Sequence, residues 1–361
     1  MSSPAGTEIL TRAAVAAAMR PDCCRGEARE AVWRELAARG LVWQPGDGPE
    51  EAGQRPLVLS SAQEWTAEHL KDVALHVLRV ETGLREFGWT LGWAASHWVQ
   101  FAGCRPVWIS QTAMRPQRAG PWEARQQFER ELLLPLLERC EERIGRRCWR
   151  ARLHGMWERV ARLAGTEPRD EVALWQKRIE RLVPRRRWSP GKTAELLKEP
   201  AGLASILVKE AATRLGARLV YELRGKHPMC AVLRPDGGPA WVRFHECEEE
   251  AAADYLEQRA AHGGVLPLWN RTGDPMKACP QRAEADLAVA VGRGNIPSAL
   301  PELAQFADQL SRMARAAMVE FVPVDGGVEW DAFLGVIRGR FRLAGVLETG
   351  AGRRLCTLER S

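Results

Sequence analysis

Residues 240–270 read AWVRFHECEEEAAADYLEQRAAHGGVLPLWN. The first seven, AWVRFHE, form a short apolar run of strand length. CEEEAAADYLEQRAAHGG follows with helical length and an acidic first turn, and VLPLWN is a second strand. Glu248, Glu249 and Glu250 suit the positive end of a helix dipole. The HECEEE run at 245–250 also resembles a set of metal donors. A helix cap and opening turn explains the same residues without a metal, and no metal site is expected.

The alternation extends in both directions. ASILVKEAATRLG (204–216) predicts a helix stopped at Gly216, and ARLVYEL (217–223) a strand. Downstream, ADLAVAV (285–291) is a strand, PELAQFADQLSRMARA (301–316) a helix and AAMVEFVP (316–323) a strand. VEWDAFLGVIRGRF (328–341) is a helix, and FRLAGVLET (341–349) and RRLCTLER (353–360) are a closing strand pair. Alternating β and α with short apolar strands predicts a doubly wound α/β sheet over 201–361, seven-stranded and mostly parallel, with helices on both faces and an antiparallel last strand.

The first half is different. EWTAEHLKDVALHVLRVETGLRE (64–86) is a strong amphipathic helix with Leu70, Val73, Ala74, Val77, Leu78 and Leu84 on its apolar side. His69 and His76 share a face of it, but no third ligand accompanies them. Two helices are expected over 8–20 and 26–39, and short strands at 41–43 and 56–60. That order would also suit a winged helix, though no base-reading helix stands out. A short strand pair follows near 99–110, and residues 129–182 read as helices ended by Pro184. PRRRWSPGK (184–192) is a basic linker.

The chain has 361 residues, 45% hydrophobic and 27% charged, enough for two cores. No run of 18 apolar residues predicts a membrane span, and the opening twenty residues lack a secretory pattern. Nine scattered cysteines without a CxxC pair fit a reduced, cytoplasmic protein. The net charge is +6, and residues 139–188 hold 15 Lys and Arg against 7 Asp and Glu. Such a segment is either a solvated helical face or a footprint for a phosphate backbone. There is no GxSxG elbow and no GxGxxG turn.

Three stretches carry a resemblance: EWTAEHLKDVALHVLRV (64–80), WTLGWAASHWVQFAGCRPVWIS (89–110) and PWEARQQFERELLLPLL (121–137). Together with GGVLPLWNRTGDP, ADLAVAV, LPELAQFADQL and MVEFVP, they are similar to a family of bacterial two-domain class I SAM-dependent methyltransferases whose N-terminal part is kinase-like. The resemblance covers roughly residues 30–361. It implies a Rossmann-like methyltransferase domain (201–361), an N-terminal α+β kinase-like module (1–138) and a basic helical connector (139–200). In the kinase-like loop the family places Asp, Asn and Asp. Here those positions hold Trp93, Trp98 and Ser110, none of which can hold magnesium as a carboxylate does. The expectation is a pseudokinase-like packing module in which both tryptophans fill the former cleft, with no nucleotide bound.

The resemblance implies SAM as the cofactor, held by an acid and a glycine turn after the first strand and by an acid after the second. Glu222, Gly225 and Glu246 stand there. Lys226, His227 and Pro228 crowd the turn: proline removes a backbone donor, and Lys226 brings a cation towards a sulfonium. No catalytic residue is assigned and no cofactor is expected, SAM being the candidate if the site works. The expected role is a non-catalytic partner of another protein subunit, such as a catalytically intact relative. The alternatives are an atypical active methyltransferase and a nucleic-acid binder using residues 139–188. No membrane partner is expected.

Overall fold

The computed structural model describes residues 27–43, 58–140, 169–184, 203–223, 240–272, 275–279, 283–291, 297, 299–323, 327–350 and 352–361. The helices expected over 8–20 and 149–165, the basic linker, Gly225 and its three crowding neighbours lie outside them. The chain divides into two units. One comprises Met1–Glu51, Leu70–Gln100 and Pro106–Arg185, and the other Ala52–His69, Phe101–Arg105 and Arg186–Ser361.

In the first unit α1 spans Glu27–Ala38 and α2 spans Ala67–Arg85, its first three residues belonging to the second unit. Thr66 opens α2: its hydroxyl accepts from the His69 backbone N–H at 3.5 Å and lies 2.8 Å from His69 Nδ1. The helix ends where Gly88 takes a positive φ. Four short strands follow: β1 (Trp89–Leu91), β2 (Val99–Ala102), β3 (Arg105–Trp108) and β4 (Met114–Pro116), paired β1 with β4 and β2 with β3, with Phe101–Arg105 belonging to the second unit. Glu81 fastens β1 to α2. It is fully buried and accepts from Arg85 Nε at 2.5 Å, from the Thr90 hydroxyl at 2.8 Å and from the Leu91 N–H at 2.8 Å.

The strands expected at 41–43 and 56–60 are reduced to single bridges, Val42 to Trp108 and Val58 to Phe101. Among the described residues they do not pair with each other. The helical reading of 129–140 holds with a refinement. α3 (Arg125–Phe128) passes into a π turn over Glu129–Leu133 and then into α4 (Leu134–Cys140). α5 (Arg169–Arg181) completes the described part of this unit.

The second unit is built on one sheet. α6 (Leu203–Arg214) leads into β5 (Leu219–Leu223), and β6 (Ala240–His245), α7 (Glu248–Ala260) and β7 (Val265–Trp269) form the β–α–β unit read from the sequence. Then come α8 (Pro275–Ala278), β8 (Ala285–Ala290), α9 (Leu300–Met313), β9 (Ala314–Phe321), α10 (Trp330–Arg338), β10 (Phe341–Gly350) and β11 (Arg353–Arg360). Across the sheet the order is β10-β11-β9-β8-β5-β6-β7. Strands β5 to β9 run parallel to one another, and β11 is antiparallel to both β9 and β10. This is the seven-stranded, mostly parallel sheet that the alternation predicts, with the reversed strand at the end of the chain. It is a Rossmann-like, doubly wound α/β fold.

The chain winds outward from β5 first towards β7 and then, through β8 and β9, in the other direction. Right-handed crossovers then put α7 on one face and α9 and α10 on the other. Val220, Trp241, Leu287, Val289, Ala316 and Met318 line the face covered by Val208, Ala211 and Ala212 of α6. Each valine, leucine or methionine among them, withdrawn from water, contributes about 1.5–3 kcal/mol. β9 begins at Ala314, inside the stretch whose composition suggests helix. Pairing of Ala314 with Ala285 draws Ala314, Arg315 and Ala316 into the sheet against their helical propensity.

Two segments of the first half complete this core. Tyr255 of α7 stacks on His69 with ring centroids 3.6 Å apart, and its hydroxyl donates to the Cys104 carbonyl at 3.2 Å. Cys104 Sγ contacts the Val265 carbonyl, the Trp269 N–H donates to the Glu64 carbonyl at 2.9 Å, and Trp65 meets Phe101 edge to face.

Candidate functional site

In a doubly wound sheet the functional edge is at the carboxyl ends of the parallel strands, where the direction of winding reverses. Here that point is between β5 and β8, with β6 beside them. Glu222 is the fourth residue of β5 and is buried. Its register partner on β6 is Arg243, so the two side chains rise from the same face of adjacent strands. Arg243 Nε donates to Glu222 Oε2 at 2.9 Å. Its Nη1 donates to both oxygens of Asp254 on α7, at 2.8 and 3.1 Å.

Asp254 also lies 2.9 Å from His245 Nε2 and accepts from Gln258 Nε2 at 3.3 Å. Glu222, Arg243, His245 and Asp254 are all buried. Burial disfavours the charged guanidinium, but Asp254 and then Glu222 overcome it and hold its pKa above the ordinary value. The arrangement is a buried ion network joining two strands to a helix.

Glu246 is placed differently. It is the first residue after β6, exposed, two residues before α7 begins. A carboxylate at the end of the second strand can accept hydroxyl hydrogen bonds from a ligand lying across the strand ends. Glu248, Glu249 and Glu250 fill the first turn of α7, and Cys247 is its N-cap residue, as the helix-opening reading has it. Among the described residues no group of three or more His, Cys, Asp or Glu could hold a metal ion. His69 is engaged with Thr66 and Tyr255, and His76 Nε2 lies 2.8 Å from the Leu41 carbonyl.

Arg243 and Asp254 were not singled out in the sequence. The signal was present: an arginine inside the apolar run AWVRFH needs a buried counter-charge. The helical run AAADYL holds one acid, Asp254, facing it.

In the first unit the loop bearing Trp93 is pinned from the helix below it. The Ala94 N–H donates to Gln127 Oε1 at 3.1 Å, and the Ser96 N–H and hydroxyl donate to Glu131 Oε2 at 2.8 and 3.1 Å. Trp93 does not fill a cleft, which corrects the expectation. It is 49% exposed, with the Arg115 guanidinium 4.7 Å from its ring centroid. Arg115 Nη1 donates to the Thr112 and Met114 carbonyls, and its guanidinium gains a cation–π contact with the half-exposed indole. Trp98 is half-buried against His97, and buried Ser110 shares a hydrogen bond with the Thr112 hydroxyl at 2.9 Å.

No protein-family model matches the chain. Among curated proteins it is 35% identical over 107 residues to the nodulation protein NoeA of Rhizobium meliloti (strain 1021). That match takes in 28% of the chain and 22% of NoeA, so the chain spans only about a fifth of that relative. Similar solved structures include the magnesium protoporphyrin IX methyltransferase (ChlM) of Synechocystis PCC 6803 with bound SAM, at 15% identity and a TM-score of 0.32 over 47% of this chain and 80% of that one. An rRNA methylase of Escherichia coli is similar at 14% identity and a TM-score of 0.30, over 54% and 85% of the two chains. A TehB-like SAM-dependent methyltransferase of Corynebacterium glutamicum gives 12% identity and a TM-score of 0.28, over 48% and 100%. The Rossmann-like α/β fold is given by the strand order itself.

Proposed function

We propose that this chain is a methyltransferase-fold protein acting as a non-catalytic partner subunit of another protein. The observation that carries the reading is the 2.9 Å ion pair between Glu222 and Arg243. Glu222 stands where the resemblance implies a cofactor contact, and it is engaged in the core by a guanidinium that also needs Asp254. Withdrawing Glu222 towards a ligand would take a buried partner from Arg243, at a cost of several kcal/mol. The sequence Lys226, His227, Pro228 after β5, where the resemblance implies an open glycine turn, argues in the same direction. A protein released from cofactor binding still keeps its fold if its surface is used, and the many tryptophans suit an aromatic interface.

A second reading is supported by Glu246. Its exposed carboxylate stands beside the opening of α7, where it can accept from the ribose hydroxyls of SAM, which would make the chain an atypical active methyltransferase. Calorimetric titration of the full chain with SAM separates the two readings. The partner reading expects no saturable heat up to millimolar SAM. Micromolar binding that disappears in Glu246→Ala would overturn it in favour of the enzyme.

A further inference from the structure

A cleft of about 400 Å³ lies wholly within the first unit, between the end of α2, the loop after β4 and the start of α3. Its volume is in the range of small-molecule sites. Arg85, Arg118 and Arg125 line it from those three segments, with Thr90, Gln117 and Gln126 among its polar walls. Glu123 is the acid lining it among the described residues.

The arginines are positioned from behind. Glu81 holds Arg85 through Nε at 2.5 Å, which fixes the plane of a buried guanidinium at the cleft wall. Arg125 stands 3.6 Å from Glu129 Oε1 and 3.7 Å from Glu171 Oε1, close enough for ion pairing. Those two carboxylate oxygens are buried and have no hydrogen-bond partner among the described residues. Glu129 begins the π turn, and a π turn inside a helix is a frequent mark of a functional site.

We propose that this cleft binds a small multiply charged oxyanion, through a phosphoryl or carboxylate headgroup held by Arg85, Arg118 and Arg125. Guanidinium forks match the oxygen geometry of both groups, and several forks around one headgroup favour multiple negative charges. Glu81, Glu129 and Glu171 leave room for such a ligand electrostatically. Glu81 is matched by Arg85, and burial pushes Glu129 up to about 7 and Glu171 upward, so at pH 6 Glu129 is mostly neutral and does not repel an arriving anion. Arg125 of α3 and Glu171 of α5 are the charged groups that act on Glu129. Arg85 and Glu81 of α2 act on Glu171 in turn.

The test is calorimetric titration of the full chain at pH 6 with pyrophosphate and, separately, with citrate. Saturable binding of either is expected, and the oxyanion that binds identifies the headgroup as phosphoryl or carboxylate. Affinity should fall at least tenfold in Arg118→Ala, an exposed position whose loss leaves the core intact. It should also fall in Arg125→Lys, which keeps the charge and removes the fork. Absence of saturable binding by both oxyanions, or binding unchanged in both variants, would overturn the proposal.

Discussion

Arg243 decides more than any other single residue in the second unit. Its two carboxylate partners come from different elements, so its loss takes a buried guanidinium from both Glu222 and Asp254. Arg243→Ala should lower the unfolding free energy by about 3–5 kcal/mol in urea denaturation, the usual size for one partner removed from a buried pair. Arg243→Ala combined with Glu222→Gln and Asp254→Asn should recover part of that loss, because the stranded charges go with it. Glu129 sets a different test. Burial raises its pKa from the ordinary 4.5 to about 7, Arg125 opposing the shift and Glu171 adding to it. The folded chain therefore holds this proton more tightly than the unfolded one. The stabilisation is fully present below pH 4.5 and is lost as pH rises through 7. Glu129→Gln, neutral throughout, should flatten the dependence of the melting temperature on pH across that window. At this scale the sequence was only partly legible. Glu222 and Glu246 could be placed because strand ends are readable, whereas the pairing of Arg243 with Asp254 depends on how a helix lies against a sheet.

Long, regular elements could be read directly. The helix and strand alternation from 203 onward follows from run length and period, and Gly216 ends α6 as its position suggests. Its backbone takes φ 59°, its N–H reaches the Thr213 carbonyl, and the Ala217 N–H reaches the Ala212 carbonyl. No atom lies within 4 Å of where a Cβ would stand, so Gly216→Ala should cost only the conformational penalty of a left-handed residue. A loss of about 1–2 kcal/mol is expected in thermal or urea unfolding. Short elements could not be read so. β1 to β4 have three or four residues each, too few for a period to show, and the expected strands at 41–43 and 56–60 contribute one bridging residue apiece. Trp93 escaped for a related reason. A large aromatic is read as core by default, and Arg115, which keeps it at the surface, lies on β4.

As a whole, the molecule is not a simple string of two modules. The unit that holds the seven-stranded sheet also takes in 52–69 and 101–105. Trp65, His69, Phe101 and Cys104 pack with Tyr255 and Val265, and Glu64 receives the end of β7. A fragment of 201–361 alone should therefore fail to unfold cooperatively and should be cut readily by protease near α7, while the full chain resists. A fragment with a sharp melting transition and native near-ultraviolet dichroism would contradict this. The division of labour was hidden in the sequence, because contacts across 151 or 161 residues leave no local pattern.

That separation also has a consequence in time. Cys104 leaves the ribosome 161 residues ahead of Val265. At the ordinary pace of synthesis, about 5–20 residues per second, this is an interval of roughly 8–30 seconds. Through it Trp65, His69 and Phe101 wait with their aromatic faces uncovered, since the helix that will cover them has not yet been made. The nascent chain thus presents a sticky surface for far longer than a local helix needs to form, and its yield in a cell is set by whatever shields those rings until α7 arrives.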